Sequence, residues 1–148
     1  SLRMFNVYGP GQDMENMKQG MVSIYLSQAI KSQQILVKGS LSRFRDFIYI
    51  DDVTEAWLKV AKDKKNYNKI YNLGTGKKTS LKELFFTISK VLDKKLVVKE
   101  LKGTPGDFMG CYSNISKIKK DLKFKPQMSL LEGIKKFNNW LNEQTKQY

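Results

Sequence analysis

The chain has 148 residues and a formal net charge of +13, with 27 Lys and Arg against 14 Asp and Glu. It contains no histidine and a single cysteine, Cys111, which excludes a histidine-based catalytic dyad, a zinc site of the usual composition and an internal disulfide. Its lysines are scattered and no apolar run approaches the roughly 18 residues of a membrane span, so we expect a soluble, cytoplasmic protein with a solvated basic surface, not a membrane protein or a nucleic-acid binder.

Strands and helices are predicted to alternate along the chain, because short β-branched runs are separated by apolar residues at three- and four-residue spacing. The predicted strands cover residues 2–8, 35–37, 47–50, 70–73 and 96–98. The predicted helices begin near residues 20, 52, 80, 116 and 129, the fourth of them covering residues 116–122.

Three helix starts carry capping signals, in which a short polar residue is followed three positions later by glutamate. The pairs are Asp52 with Glu55, Ser80 with Glu83 and Ser129 with Glu132, so Asp52 is predicted to cap the second helix. The inward face of the Asp52 helix is predicted to carry Ala56, Trp57, Val60 and Ala61, and that of the last helix Leu130, Ile134, Phe137, Trp140 and Leu141.

The chain opens directly on the strand at residues 2–8, with Ser1 in place of methionine and with no local partner strand. A chain seldom opens in the middle of a sheet. We therefore expect this sequence to be a portion of a larger folding unit.

The same opening carries a resemblance. Arg3-Met4-Phe5-Asn6-Val7-Tyr8-Gly9-Pro10 resembles the R-x-F-N-x-Y-G-P segment of the extended short-chain dehydrogenase/reductases, the NAD-dependent epimerase/dehydratase family. Arg45 to Val53 is similar to the family's R-D-F/Y-I-x-V-x-D-V element, and Ile70 to Gly76 to its I-Y-N-L-G-T/S-G element. Gly106-Asp107, Ser116-Lys117 and Lys125-Pro126 continue the series in the family's order.

The resemblance implies an α/β fold, namely a C-terminal substrate-binding domain plus the last strands of an NAD(P)-binding Rossmann-like fold. Residues 1–148 would be the C-terminal substrate-binding portion, with the strands near 2–8 and 70–73 at the edge of the nucleotide-binding sheet. The family's parent enzymes bind NAD, act on nucleoside-diphosphate sugars in polysaccharide biosynthesis, and usually form homodimers through helices of the other half.

Two motifs of the family do not occur in these residues. There is no G-x-x-G-x-x-G turn for the dinucleotide pyrophosphate, and no tyrosine is followed four residues later by lysine. The resemblance therefore implies no catalytic residue here and NAD bound mainly by the N-terminal part, with Met4 and Phe5 as this chain's contacts to it. On this interpretation, the chain alone is inactive and its role is substrate binding.

Three predicted substrate-binding residues belong to the quoted motifs, and each has an alternative. Asn6 is predicted to donate to a phosphate or sugar hydroxyl, or else to satisfy the turn at residues 8–10. The paired donors of Arg45 suit a diphosphate; the alternative is a surface ion pair with Asp46. Phe47 faces the nucleotide or belongs to the core.

The remaining predicted substrate contacts follow from the resemblance alone. Gly20 and Met21 would lie along the pyrophosphate, with a core position as the alternative for Met21, and Val37 and Lys38 along the base. Asp107 would hold the ribose hydroxyls, although Thr104 stands where the family has a second phosphate-binding arginine. Either Lys102 or another lysine replaces that arginine, or this protein binds its substrate differently. Cys111 lies where a small residue leaves room for an N-acetylated sugar, unless it is an unreactive buried cysteine.

These observations favour the substrate-binding portion of an NAD-dependent nucleoside-diphosphate-sugar epimerase of the UDP-glucose 4-epimerase type, which epimerises C4 through a keto intermediate. The alternative within the family is a 4,6-dehydratase or reductase on another nucleotide sugar. The alternative from another class is a basic, non-catalytic module that binds a polyanion, whose affinity would fall steeply with salt.

Overall fold

The computed structural model describes residues 1–103 and 108–145 and is a mixed α/β structure. A short 3₁₀ turn at Lys64–Asn66 follows the second helix. In chain order the elements are β1 Leu2–Met4, β2 Val7–Tyr8, α1 Met21–Ser32, β3 Gln34–Lys38, β4 Phe44–Arg45, β5 Ile48–Tyr49, α2 Ile50–Lys62, β6 Tyr71–Leu73, β7 Thr79–Ser80, α3 Leu81–Leu92, β8 Val97–Leu101, α4 Ser116–Leu122 and α5 Leu130–Thr145.

Within the described residues, the strands associate as four separate pairs. Three pairs are parallel: β1 with β6, β2 with β5, and β3 with β8. The fourth, β4 with β7, is antiparallel. Each parallel pair joins segments that are distant in sequence, as parallel pairing requires.

The predicted strand at residues 2–8 is in fact two strands with different partners. Leu2 lies opposite Tyr71 in the β1–β6 pair, whereas Val7 lies opposite Ile48 in the β2–β5 pair. The chain changes partner strand between Phe5 and Asn6. Phe5 N–H still donates to Leu73 O of β6 (2.9 Å), whereas Asn6 O already accepts from Ile48 N–H of β5 (3.2 Å).

Asp52 does not cap the second helix, which begins at Ile50 with Tyr49 as its N-cap. The carboxylate of Asp52 is buried and accepts instead from the backbone N–H groups of Gln127 (2.8 Å) and Met128 (3.1 Å). The prediction was wrong because a distant loop, not the helix's own first turn, supplies the donors. The inward face was also partly wrong, since Trp57 is half exposed and Ala61 is exposed.

Two capping predictions are confirmed. Ser80 Oγ accepts from Glu83 N–H (3.1 Å) while Glu83 accepts from Ser80 N–H (2.7 Å). At α5, Ser129 Oγ accepts from Glu132 N–H and Glu132 accepts from Ser129 N–H, both at 3.2 Å. Each box satisfies two backbone donors that the first helical turn leaves without partners.

The buried apolar residues form two clusters. The larger lies among α1, β3, α3 and α5 and includes Leu26, Val37, Leu84 and Phe137. The smaller lies among β5, β6, α2 and α4 and includes Ile48, Ala56, Leu73, Ile118 and Phe124. Phe47 belongs to the larger cluster and its neighbour Ile48 to the smaller one, so the segment after Arg45 spans the boundary between them.

Candidate substrate-binding cleft

A cleft of about 430 Å³ opens at the carboxyl end of β1 and the amino end of α1. Such positions are where open α/β sheets commonly bind ligands. It is lined by Met4, Phe5, Asn6, Val7, Gln12, Gln19, Gly20, Met21, Val22 and Phe47. Six residues predicted as substrate or cofactor contacts, from three separate segments of the chain, therefore meet in one cleft.

Asn6 is held in the cleft wall by the chain segment that follows Arg45. Its Nδ2 donates to the main-chain carbonyl of Asp46 (3.2 Å). The turn at residues 8–10 is not its partner. The anchoring fixes the amide at the point where β1 ends and β2 begins.

Gly20 and Met21 form the opposite wall, at the start of α1. Gly20 has φ 93°, a left-handed conformation that favours glycine, and a Cβ there would collide with Ser23 Oγ. No side chain caps this helix, so the N–H groups of its first turn are without a side-chain acceptor and suit an anion. Met21 lines the cleft and also packs against the larger core cluster. Phe47, which is 5% exposed, likewise lines the cleft and belongs to that cluster.

Arg45 lies outside the cleft lining and is only 8% exposed. Its Nη1 donates to Phe44 O at 2.7 Å and to Met109 O at 3.5 Å. The guanidinium carbon is 4.5 Å from the centroid of the Phe108 ring, a cation–π distance. Its neighbour Asp46 is fully buried and bonds to other groups, so the alternative of a surface ion pair with Asp46 is wrong.

The other predicted contacts do not line the cleft. Val37 is fully buried in the larger core cluster, so only its main chain is available to a ligand. Lys38 is exposed at the end of β3. Cys111 is exposed, which rules out the buried-cysteine alternative. Asp107, like Thr104, lies outside the described residues.

The sequence analysis did not include Leu36 among the candidate ligand contacts. Leu36 lies two residues from Lys38 on the same face of β3 and is 45% exposed. The alternation of a strand would have found it, because a buried Val37 requires its neighbours on either side to point outward.

The sequence analysis also did not predict the structural role of Asp46, whose buried side chain bonds to two distant segments of the chain. Its carboxylate accepts from Thr75 N–H (2.8 Å), Gly76 N–H (3.0 Å) and Ser113 N–H (3.0 Å), and from the hydroxyls of Thr75 and Ser113. Gly74 passes so close to Asp46 and Ser113 that a Cβ would collide with both. One buried carboxylate therefore joins the segment after β4, the turn after β6 and the segment before α4.

Tyr8 is buried below the turn that follows β2, with its ring edge-on to Tyr49 at 5.6 Å between centroids. Burial, with smaller contributions from Tyr49 and Asp52, raises the pKa of Tyr8 well above its usual value. Its phenol therefore stays protonated at neutral pH, and its role is packing.

The residues near the cleft do not form a cradle for NAD. In the turn after β6, at residues 74–76, the backbone N–H groups of Thr75 and Gly76 already donate to the Asp46 carboxylate. The N–H of Phe5 likewise already donates to Leu73 O. The predicted cofactor contacts Met4 and Phe5 both line the cleft, and the side chain of Met4 is half exposed.

Among residues 1–103 and 108–145, no group of three Asp, Glu or Cys side chains is placed to hold a metal ion. Nor does any helix in those ranges have the length and apolar character needed to cross a membrane.

The family model of the NAD dependent epimerase/dehydratase family matches residues 1–74. The chain belongs to this family. The match contains every residue that lines the cleft, from Met4 to Phe47, and ends at Gly74, just after β6.

Relatives and solved structures of the family extend over nearly the whole chain. It is 35% identical over 145 residues to a putative UDP-glucose 4-epimerase of Methanocaldococcus jannaschii, covering 98% of this chain and 46% of that protein. It is 32% identical to a dTDP-4-dehydro-6-deoxyglucose reductase of Escherichia coli, covering 92% and 42%. The chain thus spans about half the length of the curated relatives it matches.

Among solved structures, a UDP-N-acetylglucosamine 4-epimerase from Methanobrevibacter ruminantium in complex with UDP-N-acetylmuramic acid superposes with a TM-score of 0.88 at 30% identity, over 97% of this chain and 46% of that one. The UDP-glucose 4-epimerase of Thermotoga maritima with UDP-glucose gives 0.85 at 32% identity, with the same coverage.

Proposed function

We propose that this chain is the substrate-binding portion of an NAD-dependent nucleoside-diphosphate-sugar epimerase of the UDP-glucose 4-epimerase type. The observation that carries the proposal is the cleft, which brings Asn6, Gly20, Met21 and Phe47 together at the carboxyl end of β1. A 4-epimerase is favoured over a dehydratase or reductase because three of the relatives described above are 4-epimerases by name.

In this role the residues bind and orient the sugar nucleotide. The amide of Asn6 and the first-turn N–H groups of α1 bind the anionic linkage, and the main chain of β3, with Leu36 and Lys38, lies along the base. Arg45 pairs with a phosphate. Cys111 leaves space for an N-acetyl group, so the parent protein accepts UDP-N-acetylhexosamines as well as UDP-hexoses.

The domain assignment is also a proposal. Parallel sheets are normally covered on both faces and contain several strands, whereas β1 and β6 form a pair on their own in the described chain. We therefore assign this pair to the edge of the nucleotide-binding sheet. NAD is bound mainly by the other part of the parent protein, which we expect to be a homodimer.

The test is a two-dimensional amide NMR titration of the 148-residue chain with UDP-glucose, UDP-N-acetylglucosamine, dTDP-glucose and GDP-mannose. We expect saturable shifts at Asn6, Gly20 and Met21 for the uridine nucleotides. Arg45→Lys, which removes the paired donors, should weaken binding about tenfold. Arg3→Lys is the matched control, because Arg3 is an exposed residue of β1 to which no substrate contact is assigned.

Saturable binding of a dTDP- or GDP-sugar instead would favour the dehydratase or reductase. If Arg45→Lys and Arg3→Lys weakened binding equally, and steeply so with added salt, the basic polyanion module would be favoured. A folded chain without saturable shifts at the cleft residues would contradict the proposal.

A further inference from the structure

A second hollow, of about 280 Å³, lies between the turn after β6 and the loop before α5. Three lysines line it: Lys77 from the turn, Lys119 from α4 and Lys125 from the loop. In the described part of the chain, no ion pair involves any of the three. Three lysines from separate segments thus line one concave surface, and none of them is neutralised by an ion pair among the described residues.

The walls of this lysine hollow are fixed by two buried carboxylates. Asp46 holds the turn through the N–H groups of Thr75 and Gly76. Asp52 holds the loop through the N–H groups of Gln127 and Met128. The negative charge of both is directed at backbone donors, so a ligand would meet a surface that is already ordered, which lowers the entropic cost of binding.

The polar groups in the lining suit an oxyanion. Besides the lysines, Thr79 and Gln127 line the hollow, and lysine binds phosphate as a compact point charge. The volume is at the lower end of the range for small-molecule pockets, roughly 300 Å³ and above, so it fits a phosphate or diphosphate group better than a whole dinucleotide.

The lysine hollow is distinct from the substrate-binding cleft. Phe47 is the one residue that lines both, and it separates them as a buried ring. We propose that the lysine hollow is a second anion site, which binds a small phosphate-bearing anion next to the cleft.

The test titrates the 148-residue chain with inorganic diphosphate and with phosphate at constant ionic strength, with amide NMR as the readout. We expect saturable shifts at Thr75, Gly76, Thr79 and Gln127 that persist when the substrate-binding cleft is saturated with UDP-glucose, whereas any shifts at Asn6 and Gly20 are competed by UDP-glucose. The double variant Lys119→Gln/Lys125→Gln should weaken diphosphate binding about tenfold or more, since it removes two of the three charged donors that line the hollow. The control, Lys64→Gln/Lys90→Gln, removes the same charge at exposed positions away from the hollow and should leave the affinity within twofold.

Three results would overturn the proposal: an equal loss in both double variants, which would mean general attraction to a basic surface; shifts confined to the substrate-binding cleft and competed by UDP-glucose; or no saturable shift with either anion. Because UDP-glucose binding at Asn6 is read in the same spectra, failure of the lysine hollow and failure of the proposed substrate site are distinguished.

Discussion

Replacing Asp46 with asparagine tests whether one buried carboxylate holds three segments together. The change keeps the shape but puts an NH₂ group where an oxygen accepts hydrogen bonds. If it replaces the oxygen that serves Thr75, one backbone N–H loses its acceptor; if it replaces the other, the N–H groups of Gly76 and Ser113 do. The remaining bonds also lose the assistance of the charge.

The expected cost follows from these contacts. A buried donor without a partner costs about 1–3 kcal/mol, and removing one member of a buried, charge-assisted network costs about 3–5 kcal/mol. We therefore expect Asp46→Asn to lower the free energy of unfolding by about 3–5 kcal/mol. With a urea m-value of about 2 kcal/mol/M, the unfolding midpoint would fall by about 1.5–2.5 M.

The assay is urea unfolding followed by tryptophan fluorescence and far-ultraviolet circular dichroism. Asp93→Asn is the control, because Asp93 is exposed with φ 50°, a conformation that asparagine tolerates, and its change should stay within about 0.5 kcal/mol. Ser113→Ala removes a single hydroxyl donor and should cost about 1 kcal/mol, which keeps the series measurable if Asp46→Asn fails to fold. A loss below about 1 kcal/mol for Asp46→Asn would refute the reasoning.

Gly133→Ala places a Cβ against the buried ring of Tyr8, 2.9 Å from its Cζ. The helix-propensity gain of about 1 kcal/mol should be outweighed by overpacking, so the free energy of unfolding should show a net fall of about 1–3 kcal/mol. Thermal melts check this against Asn139→Ala on the exposed face of α5; a higher Tm for Gly133→Ala would contradict it. Hydrogen bonds from Ser80, its backbone N–H first, lower the pKa of Glu83 below 4.5, so this capping contribution is complete above about pH 4.5 and is lost as pH falls through the lowered pKa. Glu83→Gln keeps a capping partner but does not titrate, so its stability should converge with that of the original chain as pH falls from 6 to 3; a pH-independent difference would contradict the assignment.

The elements with local signals were predictable. The capping boxes at Ser80 and Ser129 need only residues three positions apart, and the apolar periodicity of α3 and α5 fixes their buried faces. The cleft was predictable in composition, because Asn6 and Phe47 belong to motifs with a recognisable order and the family resemblance implies the position of Gly20.

What the sequence did not reveal depends on partners far along the chain. Asp52 has a capping pattern, yet its acceptors are used by residues 127 and 128. Because Asp46 is adjacent to Arg45, an ion pair between them was a reasonable prediction. The hydrogen-bond partners of the Asp46 carboxylate lie 29 to 67 positions away along the chain. A buried carboxylate must be hydrogen-bonded, and here the donors are brought to it only by the tertiary structure.

The parallel pairing of β1 with β6 also has a consequence for biosynthesis. Leu2 lies opposite Tyr71, so the first strand leaves the ribosome long before its partner exists. At about 5–20 residues per second, the delay is roughly 4–14 seconds, during which the edge of β1 that pairs with β6 has no partner within this chain. Non-local pairing of this kind also slows folding after release. Refolding of the 148-residue chain should therefore be slower than that of a chain of similar length whose strands pair locally.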